Sequence, residues 1–233
     1  MPHSPSSRIA SRLPQPALDA PFRLFFGGSF DPPHLGHITL PQRVLEQIDQ
    51  PQAWMIYVPA AQSPHKSQAP SPDQARLDML ETAMGDAERC LIWDTELRRA
   101  KDQPGEPSYW ADTWQTVRSR CPHGLNRFLI GADQARSMHR WHQYETIWKD
   151  SIVMLRGKHD DPGQLIEALR ATGAWDAHQL DHWHDAIVQV ELVDASSTDI
   201  RAKLRTPETR KNPIAGLDDR VQDYILEHGL YRD

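Results

Sequence analysis

Gly27-Gly28-Ser29-Phe30-Asp31-Pro32-Pro33-His34-Leu35-Gly36-His37 follows directly on an apolar run, Arg23–Gly27, and precedes a stretch with helical spacing at Val44, Leu45 and Ile48. A glycine-rich turn between a strand and a helix is a place where backbone can approach an anion. Gly27 and Gly28 put no Cβ in the way, and the helix beginning near Gly36 turns its free N–H groups and positive dipole end toward the same point. His34 and His37 are three residues apart, so with helical geometry both rings face one side, where Gly36 leaves room. Two imidazoles there either donate hydrogen bonds to phosphate oxygens or close a turn with local hydrogen bonds. The strand-loop-helix context favours the former.

Outward from this loop, short apolar runs alternate with longer mixed segments. Further strands are expected at Trp54–Val58, Leu91–Asp94, Phe128–Ile130, Ile152–Leu155 and Ile187–Leu192. Most are apolar on both faces, as strands covered by helices on each side require. Ser71-Pro72-Asp73-Gln74 reads as an N-cap, a first-turn proline and a capping-box Gln, with Gly85 closing that helix; Asp161-Pro162 and Gly173 bracket another. Pro41 restricts the helix after Gly36 to starting near that residue or bending there. The expected fold is α/β: a Rossmann-like, doubly wound, mostly parallel sheet with helices on both faces and a small C-terminal helical element. In such a sheet the ligand crevice lies at the carboxyl ends of the strands, which puts the glycine loop at its floor.

With 233 residues the chain fills one large core, and no apolar run approaches the roughly 18 residues of a membrane span. The net charge of −6 argues against a general nucleic-acid binder. Cys90 and Cys121 have neither disulfide-framework nor zinc spacing and read as packing residues of a reducing, cytoplasmic compartment. Residues 1–21, rich in Pro, Ser and Arg and without an h-region, read as a disordered tail outside a domain spanning 22–233, whose last helices, about 197–233, form a C-terminal subregion. His178, His182 and His184 have spacing that could bind a metal, but the segment is polar and a solvated helix or loop is the better reading. Oligomeric state, including a homo-oligomer, is left open.

The motif GGSFDPPHLGH resembles the signature of the nucleotidyltransferase superfamily that includes the nicotinate-nucleotide adenylyltransferases, with the HxGH element that class I aminoacyl-tRNA synthetases share in variant form. Five later segments resemble the nicotinate mononucleotide branch in order. They are Val58 through Lys66, Arg76 through Leu80, Pro107 through Thr113, Ile130-Gly131-Ala132-Asp133 with Trp141 downstream, and Ser196 through Arg201. With Tyr224-Ile225 and Leu230-Tyr231, the likeness runs from Phe22 to Tyr231. It implies transfer of AMP from ATP to nicotinate mononucleotide, with Mg²⁺ arriving on ATP and no metal held by the protein alone.

Under that resemblance His34, His37 and Arg201 act on the phosphates, and Gly28, Ser29, Phe30, Gly36, Gly131, Asp133, Ser197 and Thr198 bind ATP. Ser197-Thr198 opens a helix after the last strand, so hydroxyls, N–H groups and Arg201 form a second anion site, or an ordinary cap beside a solvated Arg. Asp133 suits a ribose, or caps the next helix. Lys66 supplies a mobile positive charge, and Ser108, Tyr109, Trp110 and Trp141 make a slot for a flat pyridine ring. Asp31 either orders its loop or approaches a metal shell, and the role of Asp112 stays undecided. The chain departs from the family where Trp110 stands in place of the usual Thr, and the loop from Arg98 through Glu106 is longer than usual. Both departures bear on the pyridine end. Nicotinamide mononucleotide as acceptor, and a sensor that binds ATP without turnover, stay open as alternatives.

Overall fold

The computed structural model describes residues 7–50, 52–61, 70–157 and 160–232. In chain order these form β1 (Ile9–Ala10), α1 (Gln15–Leu18), β2 (Phe22–Gly28), α2 (Leu35–Gln47), β3 (Trp54–Pro59), α3 (Asp73–Met84) and β4 (Cys90–Trp93). There follow α4 (Thr95–Asp102), α5 (Trp110–Arg120), β5 (Leu125–Gly131), α6 (Ala132–Ser137), β6 (Ser151–Arg156), α7 (Pro162–Ala171), α8 (Ala177–Asp185) and β7 (Ile187–Val190). The chain closes with α9 (Ser197–Arg205), α10 (Pro207–Arg210) and α11 (Asp219–Glu227). One seven-stranded sheet has the order β1-β4-β3-β2-β5-β6-β7, and every neighbouring pair is parallel.

The six expected strands are all present, and their alternation explains the two-sided burial. Phe25, Ile56, Val58, Trp93 and Phe128 pack on one face with Trp114, while Leu24, Phe26, Met55, Tyr57 and Ile92 pack on the other with Leu40 and Leu80. A third cluster joins α3 to the C-terminal helices through Met79, Ile200, Leu204, Val221 and Ile225. From β2 the chain winds to β3 and β4, then crosses back to β5 on the other side. The winding therefore reverses between β2 and β5, and the carboxyl ends of that pair form the switch-point crevice of a doubly wound sheet.

Residues 7–21 differ from the expected tail. β1 pairs in parallel with β4, Leu13 and Ala17 are buried, and the wholly buried Arg23 donates from Nε to the Ala17 carbonyl at 2.8 Å and from Nη2 to the His123 carbonyl at 2.8 Å. A two-residue strand carries almost no local signal, and its stability comes from the edge it covers. Residues 1–6 and Lys66 lie outside the described residues. The cap of α3 also differs: Pro72 is the N-cap, without a side-chain bond, while the Ser71 N–H donates to Asp31 Oδ2 and Gln74 turns to Asp78. Gly85 closes that helix at φ +53°, and Asp161 caps α7 through the Gln164 N–H at 2.8 Å, both as expected. Cys121 is buried and Cys90 partly so, both as free thiols.

Candidate active site

The loop after β2 is held from three directions. Arg76, wholly buried on α3, donates from Nη1 to the Ser29 carbonyl at 2.9 Å and to the Ala60 carbonyl at 2.8 Å, and pairs with Asp73 at 2.8 Å. From the C-terminal helices, Arg201 Nη1 donates to the Asp31 carbonyl at 2.6 Å and Ser197 Oγ to the Pro32 carbonyl at 2.9 Å. The Tyr231 hydroxyl donates to Asp31 Oδ1 at 2.5 Å. Burial, then the neighbouring Asp31 carboxylate, pushes the Tyr231 phenol far above its ordinary range, so it stays a donor. With Ser71 on its other oxygen at 3.2 Å, the Asp31 carboxylate is engaged in ordering the loop. Two clusters separated by more than 160 residues thus meet at one loop.

The two imidazoles lie side by side. Their centroids are 3.7 Å apart, and the His34 N–H, at the N-cap of α2, donates to His37 Nδ1 at 3.2 Å. Because Nδ1 accepts, the neutral His37 ring carries its proton on Nε2 as a donor. Phe30, wholly buried with φ +47°, sets its ring edge-on to His37 at 5.1 Å and fixes that ring's plane. A Cβ on Gly36 would stand 3.1 Å from the His34 ring, so glycine there keeps the pair's space open. Burial, and secondarily Arg156, lowers His34 from 6.5 to about 4, which makes it a neutral group at physiological pH.

A cavity of about 490 Å³ opens at the carboxyl ends of β2 and β5. Gly28, Ser29, His37, Ser108, Tyr109, Trp110 and Trp141 line it, so the glycine loop and the aromatic segment share one cavity. Trp110 packs over β2 so closely that a Cβ on Gly27 would come within 2.8 Å of its ring. Tyr109 stacks on His142 at 4.3 Å. Below them Glu96, which burial pushes toward its protonated form, accepts from the Thr113 hydroxyl at 2.8 Å. In turn Arg99 Nη2 donates to Thr113 at 2.5 Å and to Ser108 at 3.4 Å.

Several anticipated residues stand elsewhere. Phe30 and Gly36 are buried behind the wall rather than on it. Asp133 is solvent-exposed and paired with Arg136 at 3.2 Å; its neighbour Gln134 faces the cavity and accepts the Gly131 N–H at 3.0 Å. The cap of α9 is Ser196 rather than Ser197, and Thr198 Oγ1 accepts from Arg201 Nη2 at 3.2 Å. Asp112 lies in the first turn of α5, off the wall. Glu96, Gln134, Ser137 and His142 were missed; a Gln three residues beyond Gly131 is a capping-box signal that could have found one of them. Among the described residues no three His, Cys, Asp or Glu side chains converge as a metal cage.

Fold and site together define a nucleotidyltransferase: the chain belongs to the cytidylyltransferase-like family, whose model matches residues 25–203. Within it, the chain is similar to proteins named "probable nicotinate-nucleotide adenylyltransferase". It is 30% identical over 203 residues to that of Rhodopirellula baltica, covering 85% of this chain and 91% of the relative. With that of Stenotrophomonas maltophilia it shares 29% over 222 residues, covering 90% and 96%. The fold also matches the Plasmodium falciparum nicotinic acid mononucleotide adenylyltransferase complexed with NaAD, at a TM-score of 0.64 and 17% identity, over 90% of this chain and 97% of that one.

Proposed function

We infer that this chain is a nicotinate-nucleotide adenylyltransferase, which transfers AMP from ATP to nicotinate mononucleotide and yields deamido-NAD and pyrophosphate. The observation that carries the reading is a single cavity bounded by the clasped glycine loop with His37 on one side and by Ser108, Tyr109, Trp110 and Trp141 on the other. Its size suits two nucleotides meeting end to end only in part, with the phosphates at the loop and the rest reaching solvent. Relatives covered along nearly their whole length carry the same activity in their names.

In the proposed reaction a phosphate oxygen of nicotinate mononucleotide attacks the α-phosphorus of ATP in line. The new P–O bond forms as the bond to the β-phosphate bridging oxygen breaks, and the electron pair leaves with pyrophosphate. No covalent enzyme intermediate is needed, because the attacking phosphate is already a nucleophile at neutral pH. The work of the protein is positioning and charge stabilisation. His37 Nε2–H and the neutral His34 donate to the phosphate oxygens on which charge builds. Arg201, with Thr198 and the N-terminus of α9, attracts the triphosphate tail while fixing the loop. The Ser197 hydroxyl contributes through its hold on Pro32. Mg²⁺ entering on ATP would supply charge neutralisation of the departing pyrophosphate. Tyr109, Trp110 and Trp141 stack on the pyridine ring, and Ser108 offers a hydroxyl at its edge.

The test is pyrophosphate release from ATP with nicotinate mononucleotide, nicotinamide mononucleotide or no acceptor. The reading expects release with nicotinate mononucleotide at a kcat/KM above that of the amide. Release that is equal with and without acceptor, or absent throughout, would overturn it.

A further inference from the structure

A second cleft, of about 280 Å³, lies behind the acceptor side of the catalytic cavity. Parallel pairing of Ala10 with Trp93, and the Asp94 N–H donating to the Ala10 carbonyl at 3.2 Å, set Ser11 and Arg12 beside the start of α4. Arg98, Arg99 and Asp102 come from α4 itself, and Arg120 from the last residue of α5. Four guanidiniums therefore face one carboxylate, a local surplus of positive charge in a chain whose net charge is −6.

Three of these arginines are not spent on structure. Among the described residues the side chains of Arg12, Arg98 and Arg120 have neither a hydrogen bond nor an ion pair within the fold. Arg99 is half-buried and held in place by Thr113 and Ser108, yet its buried Nε–H has no partner. Like charges gathered in a concavity raise the local concentration of anions, and planar guanidinium forks match phosphate oxygens in pairs. The volume is at the small end for a ligand pocket, which admits a diphosphate and excludes a bulky polyanion.

We propose that this cleft is a binding site for a diphosphate group, either free or as part of a nucleotide, distinct from the catalytic cavity and built in part by the N-terminal segment. The test follows the Nε–Hε resonances of the arginines, each assigned by an Arg→Lys variant, while pyrophosphate is titrated into the full chain. A parallel arm uses ADP, and a control arm uses sodium chloride at matched ionic strength. Saturating shifts of Arg98, Arg99 and Arg120 are expected, separate from those of Arg201, which reports the catalytic loop. The ratio of the pyrophosphate and ADP affinities at the cleft identifies the free or nucleotide-borne group. In the Arg12→Ala/Arg120→Ala variant, whose altered residues are exposed, cleft affinity read at Arg98 falls at least about tenfold while the Arg201 response and the melting temperature hold. Cleft resonances that move only as chloride moves them, or an unchanged affinity in the double variant, would overturn the site.

Discussion

Removing the Tyr231 hydroxyl should loosen the catalytic loop from the far end of the chain. In Tyr231→Phe the ring keeps its packing, and the hydroxyl's 2.5 Å bond to Asp31 is lost together with its weak 4.0 Å bond to Met79 Sδ. A hydrogen bond to a charged group contributes about 1.5–3 kcal/mol, and the raised phenol pKa keeps this one formed across the neutral range. For a chain of this length that corresponds to a melting temperature lower by about 3–12 °C. A double-mutant cycle with Asp31→Ala isolates the pair, since either single change removes the bond and the double variant should lose little more than Asp31→Ala alone. Turnover is the second readout: Asp31 also receives Arg201 on its carbonyl, so a loop freed at its carboxylate displaces His34 and His37 and lowers kcat by about tenfold. Urea unfolding and pyrophosphate release measure the two effects. A coupling energy under about 0.5 kcal/mol together with wild-type kcat would refute the clasp as a positioning device.

Three further outcomes are expected. His37→Ala should lower kcat by about 10²–10³ while the fold is retained, the scale of losing one preorganised donor, and wild-type turnover would remove His37 from the chemistry. Because His34 titrates near 4 in the fold and near 6.5 when unfolded, the unfolded chain takes up its proton first as pH falls. Stability of the ligand-free protein should drop by about 2–3 kcal/mol between pH 7 and 4.5, beyond the loss in His34→Gln, as read by urea midpoints at both pH values. Gly27→Ala should raise the acceptor KM and destabilise by about 1–3 kcal/mol, because its Cβ would meet the Trp110 ring at 2.8 Å; the destabilisation should be smaller when Gly27→Ala is made in a Trp110→Phe background, and an equal cost there would contradict that contact.

What could be read from the sequence was written locally. Strands buried on both faces announce themselves as apolar runs, the GGSFDPPHLGH loop carries its own turn and helix start, and Asp161 caps its helix from an adjacent position. What stayed hidden depends on contacts made far along the chain. β1 is two residues laid along the edge of β4, and nothing in the local sequence announces the burial of Arg23, which comes from the carbonyls of Ala17 and His123. Ser197 looks like a cap because Ser196 precedes it; choosing between them needs Pro32, 165 positions away. Gln134 rather than Asp133 reaches the cavity because one step along a helix turns a side chain by about 100°, and the phase is set by packing on β5 and β6.

The most direct measurement is a structure of the protein with a non-hydrolysable ATP analogue and nicotinate mononucleotide bound together. The α-phosphate is expected within hydrogen-bonding distance of His37 Nε2, the triphosphate tail toward Arg201, and the pyridine ring against Trp110. A triphosphate bound away from the β2 loop, or a pyridine ring outside the Tyr109, Trp110 and Trp141 wall, would contradict this arrangement.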